Sequence, residues 1–244
     1  LHPDAPHAAF QPVHDVTPVE DPSEVCAVRG RMGLNRKGPD AIVSPGATAG
    51  QARGRDGAVL ATATLDYELA GTRLCQLELQ AHVHAPRLDV CLRLHKESLW
   101  APENLYVSLP FRAGEHARLL LGKAGVPCWP RAHQIPGTLT DFYAVQSGWS
   151  TSTPEFAIHV AMPDQHLLQL GPLAHGERLL AGDPRLDDAP AHPYGWLMTN
   201  YWETNFAADL GGFYEFRYAL TWGGRSTVGS GLGVETVRQA EAIR

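Results

Sequence analysis

From Val59 onward, hydrophobic and polar residues alternate. Val59, Ala61, Ala63, Leu65, Tyr67 and Leu69 are separated by Thr62, Thr64, Asp66 and Glu68. Successive side chains of a strand point to opposite faces, so period two over this length predicts a half-buried strand. After the Ala70-Gly71 turn, Cys75, Leu77, Leu79, Ala81 and Val83 share one face, with Gln76, Glu78, Gln80, His82 and His84 on the other. A third run sets Leu88, Val90, Leu92 and Leu94 against Arg87, Asp89, Cys91, Arg93 and His95. A hairpin centred on Ala85-Pro86 places Val83 opposite Leu88 and Leu79 opposite Leu92. It also places Glu78 opposite Arg93 and His82 opposite Asp89, each pair worth about 0.2–1 kcal/mol.

Further strands are predicted at Leu105–Phe111, with Pro110 marking an edge or strand end, and at Phe142–Trp149, Phe156–Met162 and Tyr194–Trp202. In the last run Tyr214, Phe216, Tyr218, Leu220 and Trp222 alternate with Glu215, Arg217 and Thr221, and Phe213–Trp222 reads as core. One short helix fits Val234–Ile243, and a short strand fits Val25–Arg31. The 24 Gly and 19 Pro among 244 residues argue against a helical bundle. The expected fold is all-β: a large antiparallel β-sandwich with little helix. Pro3, Pro6, Pro12 and Pro18 mark residues 1–22 as an extended arm or linker. The sandwich domain then spans 23–225, followed by a Gly-rich segment and short helix at 226–244. The chain starts with Leu and is read as a fragment of a longer protein.

Charge and motifs narrow the chemistry. The net charge is -6, with 20 basic and 26 acidic residues. No basic patch stands out, so a nucleic-acid groove is not expected. No apolar run approaches the ~20 residues of a membrane span. Cys26, Cys75, Cys91 and Cys128 form no CxxC, which favours unpaired thiols and a reducing, cytoplasmic compartment. There is no GxSxG, no HExxH and no phosphate loop. His82 and His84 share a strand face near His95 and Asp89, where imidazoles can share a metal. Without a Cys or Glu to complete a spacing motif they read as polar surface, and neither metal nor cofactor is expected. Asp66, Glu68, Glu78, Asp141, Asp164 and Glu203 are carboxylates of the kind a glycosidase uses in pairs. Sequence alone does not pair them.

Trp196, Tyr201, Trp202, Phe206, Phe213 and Tyr214 crowd one stretch. Aromatic rings beside Asn and Asp suit a sugar: the ring stacks and the amides bond hydroxyls. Asn200, Trp202, Glu203 and Asn205 interrupt the strand where a core would not want them.

The segment Leu197-Met198-Thr199-Asn200-Tyr201-Trp202-Glu203-Thr204-Asn205-Phe206, followed by Phe213 to Tyr218, resembles the C-terminal region of family 38 glycoside hydrolases, the α-mannosidases and their bacterial relatives. There an N-x-W-x-T-N-F turn precedes a strand reading F-R-Y. Three more segments agree in order: Lys96 with Glu103 to Phe111, which looks like K…E-x-x-Y-x-x-F-P-F with Leu109 in place of the first Phe; Gly137 to Gln146, matching G-x-x-x-D-F-x-x-x-Q; and Ala161 to Gly171. The matches cover residues 95–222, and residues 1–57 show none. The resemblance implies the family's C-terminal, galactose-mutarotase-like supersandwich. The family's nucleophile and metal ligands belong to an N-terminal barrel, so it also implies no catalytic residue in this chain. The expected partners are that N-terminal catalytic domain of the same protein and a carbohydrate, with Asp141, Asn200, Trp202 and Asn205 as candidate sugar-binding residues. The same Asn side chains also suit a structural turn that bonds the backbone. A free-standing carbohydrate-binding module or lectin is the alternative. A β-sandwich lyase or epimerase would require a His and a carboxylate converging in one cleft.

Overall fold

The computed structural model describes residues 1–24, 27, 40–124, 126–140, 142–171, 173, 180–186, 192–200 and 209–224. Among these lie sixteen strands in two antiparallel sheets. The first sheet has the order β11-β14-β15-β8-β1-β2. Its members are β1 (Pro12–Val16), β2 (Ile42–Pro45), β8 (Glu103–Ser108), β11 (Tyr143–Ala144), β14 (Leu167–Leu170) and β15 (Pro193–Thr199). The larger sheet runs β10-β9-β12-β13-β16-β7-β6-β5-β3, with β4 also pairing β5. Its strands are β3 (Ala47–Thr48), β4 (Arg53–Arg55), β5 (Leu60–Glu68), β6 (Thr72–His82), β7 (Arg87–Lys96), β9 (Arg118–Lys123), β10 (Val126–Cys128), β12 (Gly148–Ser152), β13 (Phe156–Ala161) and β16 (Gly212–Gly224). The expected β-sandwich is thus the fold.

The main core fills the space between the sheets. Leu77, Leu92, Leu94 and Tyr218 come from the ten-stranded side, and Leu105 and Val107 from β8. Each apolar side chain removed from water contributes about 1.5–3 kcal/mol. A second cluster lies on the opposite face of the six-stranded sheet. There Tyr106 stacks on Trp196 at 5.6 Å between ring centroids, and Phe142 meets Trp196 edge-on. All six residues of β8 are therefore buried. Trp196, one of the crowded aromatics, belongs to this cluster.

Several expectations shift in detail. Within the expected arm of residues 1–22, β1 pairs with both β8 and β2, so this part of it is a strand of the first sheet. Pro12 stands at the first strand position, where its missing donor interrupts least. The predicted Phe142–Trp149 strand divides into β11 and β12, which lie in different sheets. Gly148 makes the change of course with a φ of +140, and a Cβ there would come within 2.0 Å of the Val160 carbonyl oxygen. The β6–β7 hairpin keeps the expected faces but slides by two residues: Leu79 pairs with Val90 and Ala81 with Leu88. A slip of two preserves every inward and outward position. Val83 leaves the ladder and donates its N–H to the Val59 carbonyl. The expected side-chain pairs form all the same, as diagonal contacts: Arg93 Nη1 to Glu78 at 2.5 Å and His82 Nε2 to Asp89 at 2.7 Å. The Val25–Arg31 strand and the Val234–Ile243 helix lie outside the described residues, apart from Ala27.

Residues 1–10 fold back on the first sheet. Phe10 N–H donates to the Ser108 carbonyl, and His7 Nδ1 lies 2.7 Å from the Tyr194 hydroxyl. His192 is buried against Tyr194, with ring centroids 4.4 Å apart. Burial first, then the nearby His2 and His7, push its pKa from the ordinary 6.5 down to about 4.

Two outcomes follow. Leu92→Ala, which empties a fully buried site, lowers stability by about 2–5 kcal/mol, whereas Val83→Ala on the exposed turn changes it by less than about 0.5 kcal/mol; urea unfolding measures both. Because the unfolded chain binds the His192 proton more readily, stability is complete above pH 6.5 and declines as the pH falls toward 4. The loss between pH 7.5 and 4.5 reaches up to ~3 kcal/mol, and His192→Gln makes it smaller. Equal losses in the two proteins would show that this ring does not titrate the fold.

Candidate functional site

Asp141, Trp202 and Asn205 lie outside the described residues. Asn200 is described, immediately after β15, and it is buried. Its side chain faces the 99–103 segment. Oδ1 accepts the Glu103 N–H at 2.7 Å, and Nδ2 donates to the carbonyls of Ala101 at 2.9 Å and Leu99 at 3.2 Å. Its own N–H donates to the Glu103 carbonyl at 3.3 Å. This is the backbone-bonding role that short amide side chains take in turns. The result is a clamp on both sides of Trp100, whose side chain is 70% exposed.

Beneath the clamp lies a charged cluster. Glu103 Oε2 accepts from Lys96 Nζ at 2.8 Å and from His14 Nε2 at 2.7 Å. All three side chains are at most 2% exposed. Lys96 Nζ also donates to the Glu97 carbonyl at 2.9 Å. The Ala70-Gly71 turn closes the cluster: a Cβ at Gly71 would lie 3.2 Å from Lys96 Nζ and 3.3 Å from His14 Cε1, and its φ of +73 favours glycine in any case. A buried charge is tolerated only when paired and hydrogen-bonded, and Glu103 Oε2 takes both partners here, while Glu103 Oε1 and His14 Nδ1 are buried without a hydrogen bond among the described residues. A His and a carboxylate do converge, as a lyase or epimerase would require. They are sealed from solvent, however, so the arrangement positions backbone instead of meeting a substrate.

His14 escaped the sequence reading because it sits in a Pro-rich stretch with no periodic signal. Lys96 and Glu103 were visible as paired motif positions, and the structure makes that pair an ion pair. His82 is engaged by Asp89, while His95 sits exposed at the far end of β7. Among the described residues no group of three or more His, Cys, Asp or Glu is placed to hold a metal ion. Cys75, Cys91 and Cys128 are free, and burial drives the Cys75 thiol up to about 12.

The outward face of β6, β7 and β16 carries a second feature, a depression of about 390 Å³ over Cys91. Arg93 bridges Glu78 at 2.5 Å and Glu215 at 2.6 Å. Its guanidinium, helped by Gln80, holds the Glu78 carboxyl below the usual range. Arg217 meets Asp164 through both Nε and Nη2, at 2.7 and 2.6 Å. Burial pushes the Cys91 thiol up.

A large two-sheet antiparallel sandwich with a clamped loop at one end defines the fold class. Two solved structures from Enterococcus faecalis share it: an α-mannosidase from strain V583 and a protein of glycosyl hydrolase family 38. Both align at 10% identity with a TM-score of 0.58 over 96% of this chain. The match covers 27% and 28% of those two chains, so this chain spans little more than a quarter of their length. No family model and no curated protein sequence matches it. Among the described residues no helix is long and apolar enough to cross a membrane.

The buried cluster predicts asymmetric mutational effects. Lys96→Met strands the Glu103 charge and destabilises by about 3–5 kcal/mol. The double variant Lys96→Met with Glu103→Leu recovers much of that loss. Asn200→Ala, which leaves the Glu103 N–H without its partner, costs about 1–3 kcal/mol. Denaturant unfolding of the wild type, Lys96→Met, Glu103→Leu and the double variant closes the cycle, with Asn200→Ala measured beside it. Strict additivity of Lys96 and Glu103 would refute the coupling.

Proposed function

We propose that this chain is an accessory β-sandwich domain of an α-mannosidase-like glycoside hydrolase. It packs on a catalytic domain belonging to the same protein, and it helps bind carbohydrate without catalysing hydrolysis itself. The observation that carries this reading is the asymmetry of coverage: nearly all of this chain matches about a quarter of proteins described as an α-mannosidase and a family 38 glycosyl hydrolase. The sealing of the His14–Glu103–Lys96 cluster from solvent supports a non-catalytic role. The sequence that follows Asn200 carries Trp202 and Asn205, which with Asp141 offer a ring, an amide and a carboxylate suited to a sugar. Asn200 itself is held to the 99–103 backbone, and the same clamp displays Trp100 for stacking or docking.

A free-standing sugar-binding module would share the binding but not the docking. The chain is expected to show no turnover of aryl α-mannosides, with or without added divalent metal. Its tryptophan fluorescence is expected to respond to α-mannosides at millimolar concentration or below, and Trp202→Ala abolishes that response. Metal-dependent hydrolysis by this chain would overturn the accessory reading. A flat titration across a glycan panel would overturn the carbohydrate part.

A further inference from the structure

The outward face of the three central strands is amphipathic along its length. In register, Leu74, His95 and Phe213 form one row across β6, β7 and β16. Phe213 is 60% exposed and Leu74 40%. Phe213 was read as core, yet it falls on the phase of Glu215 and Arg217, opposite to Tyr214 and Phe216. The next row on this face holds Arg93 and Glu215, and the third Glu78, Cys91 and Arg217. Cys91 is short among long neighbours, so the surface sinks there into the 390 Å³ depression. That volume falls within the range of small-ligand pockets.

The charges of this depression are matched within it. Arg93 meets two carboxylates, Arg217 meets Asp164, and Arg87 meets Asp89. The matched pairs leave little field to recruit an anion or a cation. Guanidinium and carboxylate groups nevertheless keep more donors and acceptors than one ion pair consumes. Rigid planar polar groups beside an exposed phenyl ring suit a neutral ligand with one apolar face and several hydroxyls. A protein partner fits less well, because the centres of such interfaces are depleted in charged residues.

The geometry points to a second carbohydrate-binding site on this open sheet face. A neutral saccharide of at least two rings stacks one ring on Phe213 beside Leu74, just outside the depression, and bonds Arg93, Glu215 and Glu78 through the hydroxyls of the next ring over Cys91. The ligand class rests on the carbohydrate reading above; the location does not. The test uses the 244-residue chain with Trp202→Ala, which removes the ring of the first candidate site, and titrates methyl α-mannoside and an α-linked mannobiose by calorimetry and ligand-observed NMR. The Trp202→Ala protein retains binding. Adding Phe213→Ala weakens it at least tenfold, and adding Cys91→Trp, which fills the depression, abolishes it. Near-ultraviolet circular dichroism confirms that both exposed-face variants are folded. Should Trp202→Ala alone remove all binding, or should Phe213→Ala and Cys91→Trp leave the residual binding intact, this site is overturned and the Trp202 reading stands. If the wild-type chain binds neither sugar, both readings fall.

Discussion

One carboxylate oxygen organises this domain. Glu103 Oε2 is shared by Lys96 Nζ and His14 Nε2 in a site that water does not reach. Removing any partner leaves a charge or donor that the interior cannot solvate, so the three segments bearing them must meet together. Those segments are the end of β7, the start of β8 and the middle of β1. β7 belongs to the larger sheet, whereas β8 and β1 belong to the smaller. The ion pair therefore pins one sheet to the other at a single end of the sandwich. Hydrophobic burial supplies most of the stability, but it is indifferent to modest sliding of the sheets. A paired buried charge is not, and its contribution is read here as specificity of alignment.

The same constraint reaches the loop surface by short steps. Glu103 fixes the start of β8, its N–H is held by Asn200, and Asn200 closes β15. Asn200 also grips the carbonyls on both sides of Trp100. Sheet alignment, strand termination and display of an exposed indole are thus consecutive consequences of one buried pair. Gly71 belongs to the chain of causes as well, since a side chain there would crowd both Lys96 and His14.

How much of this was legible in the sequence depends on the kind of signal. Strand faces follow period two, and β5, β6, β7, β13 and β16 appear where the alternation places them. Register is a weaker signal. The β6–β7 hairpin moved by two residues, a shift the alternation does not sense, while Glu78–Arg93 and His82–Asp89 still met diagonally because long side chains reach that far. Glycine-driven breaks were missed. Nothing in Phe142–Trp149 looked discontinuous, yet Gly148 sends the chain to the other sheet. β8 is buried on both faces and gave only half its pattern. The polar interruption at Asn200 was visible, and both a sugar-binding and a backbone-bonding use suited it. In the structure its amide is engaged with the backbone, a distinction that depends on where the 99–103 segment lies and not on the local sequence.

The low identity to structures of the same fold has a physical reading. At 10% identity and a TM-score of 0.58, few particular side chains are held in common. Antiparallel sheets tolerate this because each core position asks only for an apolar group of suitable volume. Polar positions split into two classes. Those on the open sheet face, such as Arg93 and Glu215, are paired with one another and free to vary together without disturbing the core. Those under the Asn200 clamp are not, because each bonds a backbone group or a buried charge whose location is set by the fold. Lys96, Glu103 and Asn200 are therefore constrained by the fold itself. The open sheet face, by contrast, can exchange one ion pair for another while the sandwich beneath stays the same.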